Sequence, residues 1–362
     1  MRRCRLFCVA ALAVLALPVL CTHAEDKLWS AYSQGSGKKR AVLSQCLESM
    51  ENIRDRAASA ADVPNWSQDP DVQCLLSHRV PGVLVVEKEF ERTPVGFHLD
   101  AVLLLTTALD DSRLRRHLPE LLAKAKDHRS QLQVLKAMGD LRDAESSAAV
   151  EQFLADADAI TPEDLVCEAA RGLALTGDGK YRPVLARASR LVESDQGRLQ
   201  VAAARYLCSE PEMAQEILRI LELTDADLAL RMLALEFFMQ NPVQDAIPVL
   251  ARLARESEQK EVAGRAMCAL MNTTGFSIPS AAQIQQPTAE TGDHGTGSEV
   301  EPEPEEAILL TERELAELPA AQRRQLVETV LEWWREHKDM TPQPRHIDRR
   351  EALAVPDKSK PH

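Results

Sequence analysis

Six stretches of this chain repeat one pattern: two apolar or small residues, a large apolar residue three to four positions on, and then a turn rich in Asp, Gly or Pro. They read AVLLLTTALD (101–110), VLKAMGDLRD (134–143), AARGLALTGD (169–178), AARYLCSEPE (203–212), LALEFFMQNP (233–242) and AMCALMNTTG (266–275). Their anchors, Leu105, Met138, Leu173, Leu207, Phe237 and Leu270, lie 33, 35, 34, 30 and 33 residues apart. A steady period of this length marks stacked structural units.

A second apolar set at helical spacing follows each of the first five turns: Leu118, Leu121 and Leu122; Val150, Phe153 and Leu154; Val184, Leu185 and Ala188; Ile217, Ile220 and Leu221; Ile247, Leu250 and Leu253. Each unit therefore reads as helix, turn, helix, with one apolar stripe per helix. Two such helices cannot hide both stripes from water by themselves, so each unit must lie against its neighbours. The pattern predicts an all-α fold, a right-handed α-solenoid of stacked antiparallel helix pairs, about six to eight in number. Thr161-Pro162-Glu163-Asp164 predicts a capped helix start just before Leu165. Small residues such as Ala169, Ala170, Ala203 and Ala204 predict close helix approach. Aromatic residues make up 4% of the chain, which leaves little material for a sheet.

The small pair, the leucine three positions on and the Asp or Gly turn, clearest in VLKAMGDLRD and AARGLALTGD, resemble the HEAT-like repeats of bacteria, in particular the short type of the phycobilisome lyases. The resemblance covers roughly residues 98–276. Ankyrin and tetratricopeptide repeats share the period, but their signature residues are missing. The resemblance implies an armadillo-like superhelix whose groove binds proteins. It also implies, as an alternative function, a lyase- or chaperone-like protein acting on a chromophore-bearing or other protein substrate. Many bacterial HEAT-like proteins end in a TG stretch followed by a Trp-rich helix; MNTTGF (271–276) and LEWWREHK (331–338) resemble that ending, split by an insertion.

The flanks carry less pattern. Residues 25–97 read as a divergent helical cap, with Val42, Cys46, Met50 and Ile53 along one stripe and GVLVVEKEF (82–90) open between strand and helix. Residues 278–308 turn abruptly to Pro, Gly, Ser, Thr, Gln and Glu and read as a disordered acidic linker. Thr311 to Glu314 then form a capping box for one amphipathic helix over 309–339, with Leu315, Leu318, Leu326, Val330, Leu331 and Trp334 on one side. That helix is expected to dock on the last repeat, or else to present Trp333 and Trp334 to a partner. Residues 340–362 read as a disordered polar tail.

At the start, Arg2, Arg3 and Arg5 precede an apolar run from Leu6 to Cys21 and small residues at Thr22 and Ala24. This is the layout of a signal peptide over residues 1–24, too short to span a membrane. It predicts export to the periplasm or cell envelope of a bacterium. A lipid anchor at Cys21 is the lesser reading, because Leu20 is large where a lipobox has a small residue. Losing those three arginines from 43 basic residues leaves 40 against 56 acidic ones, a formal charge of −16. Such a chain repels nucleic acid. No later apolar run reaches eighteen residues, so the remainder is not membrane-spanning. Cys46, Cys74, Cys167, Cys208 and Cys268 remain; they are widely spaced and read as small buried hydrophobes. An oxidising compartment would permit one bridge, such as Cys46 with Cys74, which spacing alone does not select.

Catalytic motifs are absent. GLALTGDGKYRP (172–183) has the makings of a phosphate loop, but its glycines fall at the turn phase of the repeat, and Tyr181 stands where Ser or Thr should follow the lysine. The histidines, among them His78, His98, His117 and His128, show no metal-binding spacing, and neither a metal nor a cofactor is indicated. The primary expectation is thus an exported scaffold that is not an enzyme and binds another protein along the solenoid groove. Arg187, Arg190, Glu216, Arg219 and Arg252 on the second helices would form the floor. The signal-peptide reading predicts that the chain, expressed in a secreting bacterium, begins at Glu25 by intact mass; a lipid-modified Cys21 or an uncleaved Met1 would overturn it.

Overall fold

The computed structural model describes residues 27–223, 227–276 and 311–338. The expected signal peptide, acidic linker and polar tail lie outside the described residues. Among these there is no strand. The chain is an all-α protein of stacked helix pairs, of the solenoid class. It forms two compact units, divided between Glu210 and Pro211 in the turn of the fourth repeat copy.

In the first unit, a helical segment at 27–33 leads to α1 (Gly37–Ser59), α2 (Pro70–Ser77), α3 (Arg79–Glu91), α4 (Gly96–Leu109), the short α5 (Ser112–Arg115), α6 (Leu118–Lys124), α7 (His128–Leu141), α8 (Ala144–Asp156), α9 (Glu163–Ala174), α10 (Arg182–Ala188) and α11 (Asp195–Leu207). The second unit holds α12 (Met213–Leu221), α13 (Leu228–Gln240), α14 (Ile247–Glu256), α15 (Lys260–Thr274), α16 (Glu312–Glu317) and α17 (Ala320–His337).

The boundaries follow from local chemistry. Asp127, Asp143 and Asp227 accept backbone N–H bonds at the starts of α7, α8 and α13, where a carboxylate satisfies orphan donors and faces the positive end of the helix dipole. Pro119, Pro183 and Pro248 occupy the first turns of α6, α10 and α14, where a missing N–H costs nothing. The first helices of several copies end in a left-handed residue: Asp110, Arg142, Gly177, Ser209 and Gly275 have φ of 49°, 54°, 68°, 70° and 74°. The conserved phase of the turn is thus a backbone phase, filled by glycine in only two of these copies.

Most of each stripe is buried as the period requires, although Phe153, Val184 and Leu253 are only half-buried. Leu105, Met138, Leu173, Phe237 and Leu270 are all buried, as are Leu118, Val150, Leu154, Leu185, Ile217, Ile220 and Leu250 on the second helices. Leu207 departs from this: it is half-buried, and Cys208 takes the inner position, with its Sγ 4.0 Å from the Leu173 carbonyl oxygen. The helix closes at that point, with Ser209 already left-handed, so the inner position shifts by one residue. A close helix crossing lies between α7 and α9, where a Cβ on Gly139 would stand 2.8 Å from the Gly172 Cα.

One open reading is decided and two expectations are corrected in detail. Residues 82–90 belong to the helix α3, buried on most sides, which is why they show no clear period. Thr161 does not cap α9: its hydroxyl is held by Asp158, accepting from the Asp158 N–H at 3.1 Å, and the helix starts one residue later, after Pro162. The C-terminal segment is two helices where one was expected. Pro319 lacks the N–H that would continue the helix and forces Leu318 into an extended conformation, ψ 135°.

That C-terminal pair docks on the last repeat, as anticipated. The capping box forms, with the Thr311 N–H donating to Glu314 Oε2 at 2.7 Å. The backbone of α16 lies in a notch at Gly264, where a Cβ would meet Ala316 N and Glu312 O at 2.9 Å. Arg265 grips Glu312 with two hydrogen bonds of 3.0 and 3.1 Å, a fork geometry only arginine offers. Leu315, Val327 and Val330 are buried, and Arg255 pairs with Glu328 at 2.9 Å.

Gly139→Ala tests the crossing. Alanine gains up to about 1 kcal/mol of helix propensity over glycine, but its methyl group must displace backbone, at about 1–3 kcal/mol. A net loss of stability is expected in urea unfolding; a variant more stable than the parent would refute the close approach.

Candidate functional site

The residues expected on the groove floor are placed unit by unit. In the first, Arg187 and Arg190 are exposed at and just after α10. Arg187 is committed to structure: its Nη2 donates to the Ala157 carbonyl at 2.9 Å, one period away, closing the C-terminal end of α8. In the second unit, Glu216 and Arg219 pair with each other along α12 at 2.6 Å, and Arg252 on α14 pairs with Glu222.

These links belong to a wider arrangement. Arg129 reaches Asp100, Arg171 reaches Asp140 at 3.0 Å and Arg265 reaches Glu236 at 3.5 Å, each tying one first helix to the next. Between second-helix elements, Arg116 meets Glu87 at 2.7 Å and Gln215 meets Asp245 at 3.2 Å. Glu163 extends the theme: its carboxylate accepts from the backbone N–H groups of Glu193 and Ser194 at 2.9 and 3.1 Å. Burial pushes that carboxyl up, but the Ser194 hydroxyl and these two N–H groups outweigh it and hold it below its ordinary range.

A denser polar cluster surrounds the end of α3, in the stretch EKEFERTPVGFH (87–98). Glu89 is 2% exposed. Arg92 Nη1 donates to it at 3.0 Å, and Arg54 Nε and His98 Nε2 stand 3.1 and 3.3 Å from its Oε2. Burial pushes the Glu89 carboxyl up; His98 and the two guanidinium groups more than offset this and hold it below the usual carboxylate value. Two residues back on the helix, Glu87 faces Arg116 and His117, and His117 stacks on Phe90 with ring centres 5.0 Å apart.

The loop after α3 is strained: Thr93 adopts φ 52°, a conformation a β-branched residue avoids. A cavity lies on each side of this loop. One, about 240 Å³, is lined by Phe90, Thr93, His117, Glu120 and Lys124. The other, about 300 Å³, is lined by Gly96, Leu99, Asp100, Asp127, Arg129 and Gln133. Burial raises the Asp100 carboxyl despite Arg129 beside it. This centre was missed in the sequence. His98 and His117 were noted only as histidines without partners, and the available signal was the run of alternating charge from Glu87 to Arg92.

Elsewhere, the glycine-rich loop has a structural role. Gly177 supplies the left-handed turn, Asp178 accepts from the Lys180 N–H at 2.9 Å to start the short helix Gly179–Tyr181, and Lys180 Nζ pairs with Asp178 at 3.2 Å. Burial pushes the thiols of Cys46 and Cys167 up to about 12 and that of Cys268 up to about 11, leaving them protonated and weakly nucleophilic at neutral pH. Among the described residues no group of three or more His, Cys, Asp or Glu side chains is placed to hold a metal ion, and no helix is long and apolar enough to cross a membrane. Trp333 packs edge-on against Phe276 at 5.8 Å and face-on against His337 at 4.6 Å, and Trp334 is half-buried.

No protein family and no curated protein matches this chain. Among solved structures, the complex of CpcE and CpcF of phycocyanin lyase from Nostoc sp. PCC7120 is similar, at 17% identity and a TM-score of 0.43, covering 65% of this chain and 90% of that one. One expectation is corrected here: that the chain is not an enzyme. The similar solved structure is of a phycocyanin lyase complex, and the lack of a recognisable catalytic motif is by itself no ground for excluding enzyme-like work.

Glu89→Gln tests the buried cluster. Because its folded-state carboxyl lies below the ordinary value of about 4.3, Glu89 stabilises the fold fully above that pH, and the contribution fades as pH falls through the lower folded value. The variant is expected to lose about 1–3 kcal/mol at pH 7, with the gap to the parent in urea midpoints narrowing as pH falls below about 4.3; a gap that stays equal across that range would refute the ionic role.

Proposed function

We propose that this chain is a helical-repeat protein that binds another protein along its rows of second helices and acts on it, as a lyase- or chaperone-like protein for a chromophore-bearing or other protein substrate. The observation that carries the reading is the contrast among the exposed arginines. Arg187 and Arg252 are used to tie repeats together, whereas Arg190 stands exposed in the first unit and, among the described residues, Arg219 of the second pairs with Glu216 one turn away on its own helix. Arginines held on ordered helices and not used to join repeats suit recognition of carboxylates on a partner.

The resemblance of the repeat copies to the short HEAT-like type supports the same class of work. The proposal includes export on the strength of residues 1–24, so the substrate would be met in the cell envelope.

The test is in-cell crosslinking and recovery with the full chain and with the double variant Arg190→Glu, Arg219→Glu. Loss of at least about tenfold in recovery, equivalent to about 1.4 kcal/mol, is expected from a variant whose helical circular dichroism matches the parent. Incubating the recovered partner with the parent protein should alter its visible absorption or mass. Equal recovery by both proteins would sink the binding face, and a partner left unaltered would sink the claim of action on it.

A further inference from the structure

Cys46 and Cys74 are both free thiols, on helices that run antiparallel against each other. The register of α1 on α2 is fixed by polar contacts. Asp71 accepts from Arg56 at 2.8 Å, from Asn52 at 3.4 Å and from the Ser49 hydroxyl, and Arg56 also reaches Asp69 at 2.8 Å. Thus 56, 52 and 49 on α1 face the first turn of α2. One further turn back along α1 is Cys46, and one turn forward along α2 from Asp71 is Cys74. In antiparallel helices those two steps of about 4.5 Å run the same way, which carries both cysteines toward the same stretch of the seam. Cys46 is fully buried in that seam and Cys74 is half-buried at its edge. The two thiols also sense each other electrostatically: after burial, Cys74 is the second cause that pushes the Cys46 thiol up to about 12.

We propose that Cys46 and Cys74 form a disulfide that clamps α1 to α2 when the chain meets a low-molecular-weight disulfide such as oxidised glutathione. The half-buried Cys74 reacts first. Its thiolate attacks one sulfur of glutathione disulfide, an S–S bond breaks, and one glutathione thiol leaves. Cys46 then attacks Cys74 Sγ in the mixed disulfide and releases the second glutathione thiol. Two protein thiols are oxidised, one glutathione disulfide is reduced to two thiols, and the two protons end on the glutathione sulfurs. The second step is the slow one, because Cys46 must give up a proton held up to about 12. Its rate should therefore rise as pH increases from 7 to 9, with the Cys74 adduct as a transient species at the lower pH.

The experiment exposes the folded full chain to oxidised glutathione, quenches with acid and maps non-reduced tryptic peptides. Cleavage after Arg40, Arg54, Arg56 and Arg79 puts Cys46 in residues 41–54 and Cys74 in residues 57–79. The expected result is a cross-linked pair of these two peptides as the dominant form of both, lost on adding dithiothreitol, with a higher melting temperature for the oxidised chain. Cys46→Ser should stop at a glutathione adduct on Cys74, and Cys74→Ser should leave Cys46 reduced. A permanent Cys74 adduct in the parent, a bridge from Cys46 to any other cysteine, or two unmodified peptides in excess oxidant would each overturn the proposal. Should Cys46→Ser fail to fold, the half-buried Cys74→Ser and the parent decide the question between them.

Discussion

The structure depends on a shortage: repeat helices of seven to fifteen residues, each with one apolar stripe, cannot keep that stripe dry alone or in pairs. Only a neighbour one period away supplies the missing face. The apolar contacts therefore recur at the repeat period, and so do the polar ones. Arg171 with Asp140, Arg187 with the Ala157 carbonyl and Glu163 with Ser194 all connect residues about thirty positions apart within the first unit, as Arg252 with Glu222 does within the second. Exposed pairs of this kind add little energy each. Their effect is to fix the angle at which one helix pair meets the next, since an arginine fork accepts few geometries.

A stack built this way has a problem at its end, where the last helix pair has no neighbour. Here α16 and α17 take that place. Gly264 allows the α16 backbone to come within contact of α15, and Arg265 holds Glu312 there. The pair behaves as a terminal cap with one polar and one apolar side, which is what a solenoid needs to stay soluble. Trp333 contributes by packing on Phe276, the last apolar residue of the repeat region.

The centre around Glu89 differs in kind. A carboxylate buried this deeply is tolerated because two arginines and a histidine from α1, α3 and α4 surround it. It joins three elements far apart in sequence, and the strained Thr93 follows it in the chain.

Much of this was determined by the amino-acid sequence alone. The 33-residue period, the helix pairs, the buried anchors and the capping box at Thr311 are local or periodic properties, set by side-chain size and spacing, and they read directly from the chain. The phosphate-like loop at 176–180 was legible as a turn for the same reason. Only the tertiary structure decided what depends on residues far apart in sequence. Gly139 and Gly172 matter because two helices cross there; Leu207 yields to Cys208 because its helix closes a turn early; Glu89 is a centre because Arg54 and His98 arrive from other helices. Periodicity records which face of a helix turns inward, and it carries no record of which partner waits on the other side.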